Sequence, residues 1–186
     1  MRIISGKLRG KSINFLRNTI TRPLKDSVRE SIFNILNHSK LIKINLNESF
    51  VLDLYSGIGS FGIECLSRGV RSVTFVERNS TACEVLKENL KKLSLINKSY
   101  IENTGIENFL MREKNNKYNI FFFDPPFVNK TFIENLILLK NRKIYKTNHI
   151  IIIHRDVKSK DNLDEYIDTI ISRKYGRSKI IFGTFR

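Results

Sequence analysis

Apolar residues along this chain follow two different rhythms. Val28, Ile32, Ile35 and Leu36 recur three or four positions apart, the spacing of one helix face, and Ser27 with Glu30 is placed to box that helix at its start. Upstream, residues 2–15 (RIISGKLRGKSINF) read as two short strands around glycine turns, a basic hairpin. From residue 50 onward compact apolar runs take over: FVLDL from residue 50, SVTFV from 72, YNIFFF from 118 and HIIII from 149, with shorter candidates at 100–101 and 179–182. Helical stretches lie between them. One runs through Ile63 and Leu66 and stops near Gly69, and one carries Ala82, Val85, Leu86, Leu90 and Leu93 on a single face behind Thr81 and Glu84 as caps. A third is expected around 131–140. Strands that are apolar throughout, separated by helices, predict an α/β fold with a parallel sheet covered on both faces. The change of rhythm divides the chain into an N-terminal extension, 1–45, and an α/β domain, 46–186. Ligands are then expected at the carboxyl ends of the strands.

Charge adds a partner class. The net charge is +15, from 33 basic and 18 acidic side chains. A lysine-rich chain is also what an AT-biased genome produces, so distribution carries more weight than the total. No acid precedes Asp26, whereas Arg2, Lys7, Arg9, Lys11, Arg17, Arg22 and Lys25 do; after Asp168 the chain has only bases, including Arg173 and Arg177. Such segments bind phosphates through counterion release, and nucleic acid is the expected partner. Lys140, Arg142, Lys143 and Lys146 form a further basic group that fits an RNA-facing patch or a solvated face equally. No apolar run approaches the roughly 18–20 residues of a membrane span, and no secretory leader is evident, which predicts a cytosolic, cytoplasmic protein. Cys65 and Cys83 are read as reduced core residues, and no metal is expected.

Three segments at strand ends carry chemistry. Gly57, Gly59 and Gly62 follow a strand and open a helix, and Glu77 ends the next strand, the pattern of a loop that approaches an adenosine-containing ligand while an acid accepts its ribose hydroxyls. Asp53 within the strand would repel a pyrophosphate but suits a ligand bearing an ammonium and a sulfonium, so S-adenosylmethionine is favoured over a dinucleotide. The third segment is Asp124-Pro125-Pro126-Phe127. Two prolines stiffen the turn and fix Asp124 and the Pro125 carbonyl as acceptors. Acceptors gripping the N–H bonds of a base amino group localise its lone pair and stabilise the charge that develops on methylation. Phe127 is expected to stack on the extruded base.

The segments VLDLYSGIGSFGIECLSRG, TFVERN and FFFDPPF resemble motifs of the class I Rossmann-like methyltransferases, and MRIISGKLRGKSI with TRPLKDSVRESIFNIL is similar to the RsmD family. The resemblance implies a seven-stranded, mostly parallel sheet with an antiparallel last strand, and methylation of the N2 amino group of one guanine in bacterial 16S rRNA. It assigns the cofactor S-adenosylmethionine to Asp53, Tyr55, Gly57, Gly59, Gly62, Glu77, Arg78 and either Asn103 or Thr104, with Asn103 ranked first. The target base goes to Asp124, Pro125, Pro126 and Phe127. RNA is assigned to Arg2, Lys7, Arg9, Lys11, Arg22 and Arg29. Pro23, Asp26, Phe33 and Asn34 are expected near the RNA or the cofactor. The partner implied is the small ribosomal subunit or an assembly intermediate, and a monomer is expected. Leu24 stands where the family has threonine, and His154 where relatives often carry glutamate. These departures are expected to leave the chemistry untouched. Rival readings are an amino methyltransferase for adenine N6 in DNA or another RNA site, a nucleotide-dependent oxidoreductase, and a non-catalytic RNA-binding scaffold.

Overall fold

The computed structural model describes residues 1–15, 24–113, 115–126 and 131–186. Among them helices α1 (Asp26–His38), α2 (Ser60–Ser67), α3 (Ser80–Lys92), α4 (Ile106–Arg112) and α5 (Phe132–Arg142) interleave with strands β1 (Phe50–Leu54), β2 (Ser72–Val76), β3 (Ser99–Glu102), β4 (Tyr118–Phe123) and β5 (Tyr145–Asp156). Strands β6 (Ile167–Tyr175) and β7 (Ser178–Phe185) close the chain. The sheet order is β3-β2-β1-β4-β5-β7-β6. Pairs from β3 to β5 are parallel, and β7 runs antiparallel to both its neighbours. This is the seven-stranded α/β sheet expected, with its antiparallel last strand.

Alternation along the strands sends side chains to two cores. Val51, Val73, Phe75, Phe122, Ile150 and Ile152 pack under α1, α2 and α3, and Leu52, Leu54, Phe121, Phe123, Ile151 and Ile153 pack under α4 and α5. Phe33, Phe61 and Phe122 stack in series, with ring centroids 5.5 and 4.0 Å apart, and this ties α1 to α2 and to the sheet.

Among its described residues the extension is hairpin-like but forms no ladder. It has one bridge, Arg2 to Ser12, and turns at Gly6 and Gly10. Ile3 and Ile13 are buried in the domain's core, and the extension is also held by specific polar contacts. Glu64, 1% exposed inside α2, accepts from the backbone N–H groups of Ile4 and Ser5 at 2.8 and 3.0 Å and from Arg68 Nε at 2.9 Å. Ser67 Oγ donates to the Ser5 carbonyl, and Lys7 N–H donates to the Ser67 carbonyl. A Cβ at Gly6 would stand 2.0 Å from that carbonyl oxygen, so only glycine lets the two backbones meet. Further along, the Asn89 side chain of α3 bonds both the N–H and the carbonyl of Asn14.

Several local readings need correction. Ser27 and Glu30 do not box α1: Lys25 is the N-cap residue and no side chain caps it. The cap of α3 is Asn79, which accepts from Ala82 N–H, and Thr81 lies inside the helix. Helix α4 and strand β6 were not expected. β6 is an edge strand whose outer residues are polar and exposed, so it lacks the apolar run that marks the inner strands.

Candidate active site

The sheet order reverses where β1 lies between β2 and β4, the place at which parallel sheets open a crevice. A cavity of about 360 Å³ sits there, at the carboxyl ends of the strands. Its wall includes Tyr55, Gly57, Glu77, Arg78, Asp124, Pro125 and Pro126, seven of the residues singled out from sequence. Thr104 is also on the wall, whereas Asn103 is exposed beside it. The Asn103 amide donates to the Glu77 carbonyl and accepts from Ser80 Oγ, so it braces the Glu77 turn rather than facing the cavity. Phe127 lies outside the described residues.

Glu77 is held from two sides, Oε2 by Gly57 N–H at 2.9 Å and Oε1 by Asn79 N–H at 2.8 Å. Each oxygen keeps a further lone pair for a ligand hydroxyl. Gly57 has φ +54 and open space where a Cβ would stand, so its backbone faces the cavity bare. Tyr55 also has a positive φ, and its hydroxyl accepts from Asn135 Nδ2 of α5 at 2.9 Å. Burial pushes the Tyr55 hydroxyl pKa up, which keeps it a neutral donor. Ser56 Oγ and Asn135 Oδ1 are buried on or at this wall with no partner among the described residues.

Asp53, Gly59 and Gly62 are not on the wall, and their placement corrects the expected direct contacts. Asp53 is 1% exposed, and its Oδ2 accepts from Gly62 N–H at 3.0 Å, so it anchors the first turn of α2. Burial raises its pKa well above the usual carboxylate value, Asp124 and Glu77 add to the rise, and the Gly62 hydrogen bond opposes it. Gly59 is the N-cap of α2. Gly62 is small because a Cβ there would stand 2.2 Å from the Phe75 ring.

Asp124 directly follows β4, with its side chain 23% exposed. Its Oδ1 lies 2.7 Å from His154 Nδ1, and His154 Nε2 lies 2.9 Å from Ser178 Oγ. All three residues line the cavity. The departure at His154, expected to leave the chemistry untouched, therefore touches the central carboxylate directly. Its neighbour Arg155, 2% exposed, points to the opposite face. There it pairs with Asp161 at 2.8 Å, lies over the Phe132 ring and donates to the Pro126 carbonyl at 3.2 Å, which pins the Pro-Pro turn.

Residues 1–184 match the family described as conserved hypothetical protein 95. The chain belongs to this family, the RsmD family. Ribosomal RNA small subunit methyltransferase D of Buchnera aphidicola from Acyrthosiphon pisum is 35% identical over 156 residues, 84% of this chain and 78% of the relative. The Escherichia coli K12 protein of the same name is 30% identical over 159 residues, 86% of this chain and 76% of the relative. A solved structure of a provisionally assigned Escherichia coli methyltransferase superposes with a TM-score of 0.83 at 25% identity, covering 100% of this chain and 97% of the other. A provisionally assigned Haemophilus influenzae methylase gives 0.78 at 26% identity, covering 100% and 98%. The fold is that of a Rossmann-like class I methyltransferase.

Within this RsmD-family chain the basic residues separate by burial. Arg2, Lys7, Arg9 and Lys11 are exposed on the extension, and Arg22 and Pro23 lie outside the described residues. Arg29 is 0% exposed, so its expected contact with RNA is corrected: its Nη2 donates to the Arg2 carbonyl at 2.7 Å and to Asp26 at 2.9 Å, and its Nε lies 3.6 Å from Glu64. Phe33 is likewise core, in the aromatic stack, and Asn34 faces a shallow groove toward Arg173 of β6. Lys140, Arg142 and Lys143 end α5 and Lys146 begins β5, at the end of the sheet opposite the cavity. The residues that sequence reasoning passed over are Glu64, Asn135, Arg155 and Ser178, and from sequence His154 reads only as a departure without effect. A signal existed for three of them. Glu64 is a charge inside an apolar helix, and His154-Arg155 ends a run of four isoleucines at the ligand-binding end of a strand.

Proposed function

We propose that this chain transfers a methyl group from S-adenosylmethionine to the exocyclic N2 amino group of a guanine in 16S rRNA. The observation that carries the reading is that one cavity contains both the Glu77–Gly57 corner and Asp124. Curated relatives of the family bear the name ribosomal RNA small subunit methyltransferase D, which supports rRNA as the substrate class.

The residues present fit an adenosyl sulfonium donor better than a dinucleotide. Glu77 offers two fixed acceptors to a ribose diol, and the bare backbone of Gly57 leaves room for it. Ser56 Oγ and Asn135 Oδ1 are buried polar atoms that await a polar partner. Asp53 already takes an amide of the first turn of α2, so that helix start is less open to a pyrophosphate. Thr104, Gly105 and Ile106 stand on the wall next to Glu77 and are assigned to the adenine in place of Asn103. The donor, when bound, supplies a methyl group activated on positively charged sulfur.

The chain's own work is positioning and charge stabilisation. Asp124 accepts an N–H of the target amine, the Pro125 carbonyl accepts the second, and the proton released on methylation is taken up at Asp124. Arg155 and Asp161 hold the turn that carries these acceptors. The extension, 1–45, is the RNA-contacting part and 46–186 the methyltransferase domain. Arg2, Lys7, Arg9 and Lys11 lie on a segment that Asn89 pins at Asn14, and the next residue, Phe15, is half exposed on the cavity wall. Phosphate contacts along the extension would lead the strand to the cavity. The particle in which this happens is the small ribosomal subunit or its assembly intermediate, in the cytoplasm, with the enzyme as a monomer.

The test is to incubate the protein with isotopically labelled S-adenosylmethionine and small subunits from a strain lacking the modification, beside an Asp124→Ala variant. N2-methylguanosine at a single site, absent with the variant, is the expected result. Label on adenine, or no label despite measured binding of the donor, would overturn the proposed target or the proposed reaction respectively.

A further inference from the structure

Asp124 does not stand alone in the cavity. His154 leaves the carboxyl end of β5 and Ser178 opens β7, and the imidazole bridges from Ser178 Oγ to Asp124 Oδ1 at 2.9 and 2.7 Å. An ionised carboxylate only accepts hydrogen bonds, so the Nδ1 facing it carries the hydrogen. Nε2 faces the Ser178 hydroxyl on the other side, and the two contacts together hold the ring plane.

We propose that His154 is a positioning residue for methyl transfer: oriented by Ser178, it donates Nδ1–H to Asp124 Oδ1 and so presents Oδ2 to the amine of the target base. The inference rests on the reaction proposed above. Three consequences follow from the geometry. One oxygen of Asp124 is engaged before the substrate arrives, so the carboxylate cannot swing, and no reorganisation is needed at the moment of reaction. The bond from the imidazole leaves the second carboxylate oxygen of Asp124 as an acceptor for the substrate. Finally, the two strands that bear His154 and Ser178 pair antiparallel in fixed register, Asp156 opposite Ser178, so the donor is set by the sheet itself rather than by a loop. The other charged groups nearby do not take this place. Arg155 is turned to the opposite face onto Asp161 and the Pro126 carbonyl, and Arg177 on the cavity wall pairs with Asp156 at 3.7 Å.

The experiment is a thermodynamic cycle on the full-length protein with small subunits as substrate, comparing the parent, His154→Leu, Asp124→Asn and the double variant, with His154→Gln as the conservative replacement. His154→Leu should lower kcat about 10- to 100-fold, the range for losing a hydrogen bond to a charged group. Donor binding and KM for the particle should change less than about twofold. His154→Gln, which retains an N–H donor, should recover part of the loss. In the Asp124→Asn background the leucine substitution should cost less than about twofold, because the group through which it acts is altered. Equal losses in both backgrounds, or a loss confined to KM, would overturn the proposal. A second readout does not depend on turnover. Nitrogen-15 spectra of His154 should show the Nδ1–H tautomer in the parent and a displaced Nδ1 signal in Asp124→Asn, and an Nε2–H tautomer in the parent would refute the arrangement. If the parent methylates no guanine, the reaction reading fails by itself and the spectra still decide the pairing.

Discussion

Glu64 is the residue whose replacement should most sharply separate the extension from the domain. Its carboxylate is buried and accepts from three donors, the amides of Ile4 and Ser5 and Arg68 Nε at 2.9 Å, and Arg29 Nε lies at ion-pair distance, 3.6 Å. Glu64→Gln preserves the shape of the side chain but removes the charge and turns one acceptor into a donor that faces other donors. Removing one partner of a buried pair costs roughly 3–5 kcal/mol, because the remaining charge is left uncompensated. For a chain of this size each kcal/mol lowers Tm by roughly 2–4 °C, so a fall of roughly 6–20 °C is expected. Denaturant titration measures the loss directly, and limited proteolysis shows where it falls. Cleavage within residues 1–15 should accelerate well before the sheet opens, since the extension is tied to α2 through this carboxylate. A Tm within about 2 °C of the parent, with unchanged proteolysis of the extension, would refute the account.

Further outcomes follow from other contacts. Asp53, whose pKa burial raises well above the usual value, holds its proton more tightly in the folded state than in the unfolded chain. Its contribution to stability is therefore complete below the ordinary carboxylate range and is lost as pH rises through the folded value. Asp53→Asn keeps an acceptor for Gly62 N–H, so its Tm relative to the parent should climb as pH rises above the ordinary carboxylate range, and a flat or falling difference in calorimetry would count against this. Replacing Lys7, Arg9 and Lys11 together by alanine should reduce the salt slope of RNA binding by about three while leaving the Tm close to the parent's. Arg29→Ala should do the reverse, lowering Tm without changing that slope. Gly62→Ala forces a methyl against the buried Phe75 ring and should cost about 1–3 kcal/mol in denaturation. Gly57→Ala, where space is open, should instead weaken binding of S-adenosylmethionine in calorimetric titration.

The inner strands were legible in the sequence because their burial on both faces leaves unbroken apolar runs, as in YNIFFF, and the glycine loop because backbone approach to a ligand demands that residue type. β6 escaped because an exposed edge strand has no unbroken apolar run, its isoleucines being separated by Asp168 and Thr169 and followed by Ser172, Arg173 and Lys174. Within the site the errors share one cause. Sequence spacing shows that Asp53, Gly62 and Asn103 belong to the same corner, but not which of them faces the cavity and which props up those that do. Arg29 illustrates the same limit from the other side: a basic residue in a basic segment reads as a phosphate contact until burial shows it gripping the segment's own backbone. His154 and Ser178 lie far from Asp124 in sequence, and their meeting depends on the register of β5 with β4 and with β7, which single-chain patterns do not encode.

The position of β7 has a consequence for the order in which the protein becomes competent. The strand follows β6 in the chain, yet it lies between β5 and β6 rather than at an edge, and Ser178 at its start lines the cavity together with Arg177 just before it. During synthesis the parallel half of the sheet can assemble and expose the glycine corner well before the carboxylate is braced. A nascent chain in that condition has a place for the donor but no finished acceptor site. Full methyl transfer thus requires β7 in place, and chains truncated before Ser178 should be strongly impaired rather than promiscuous.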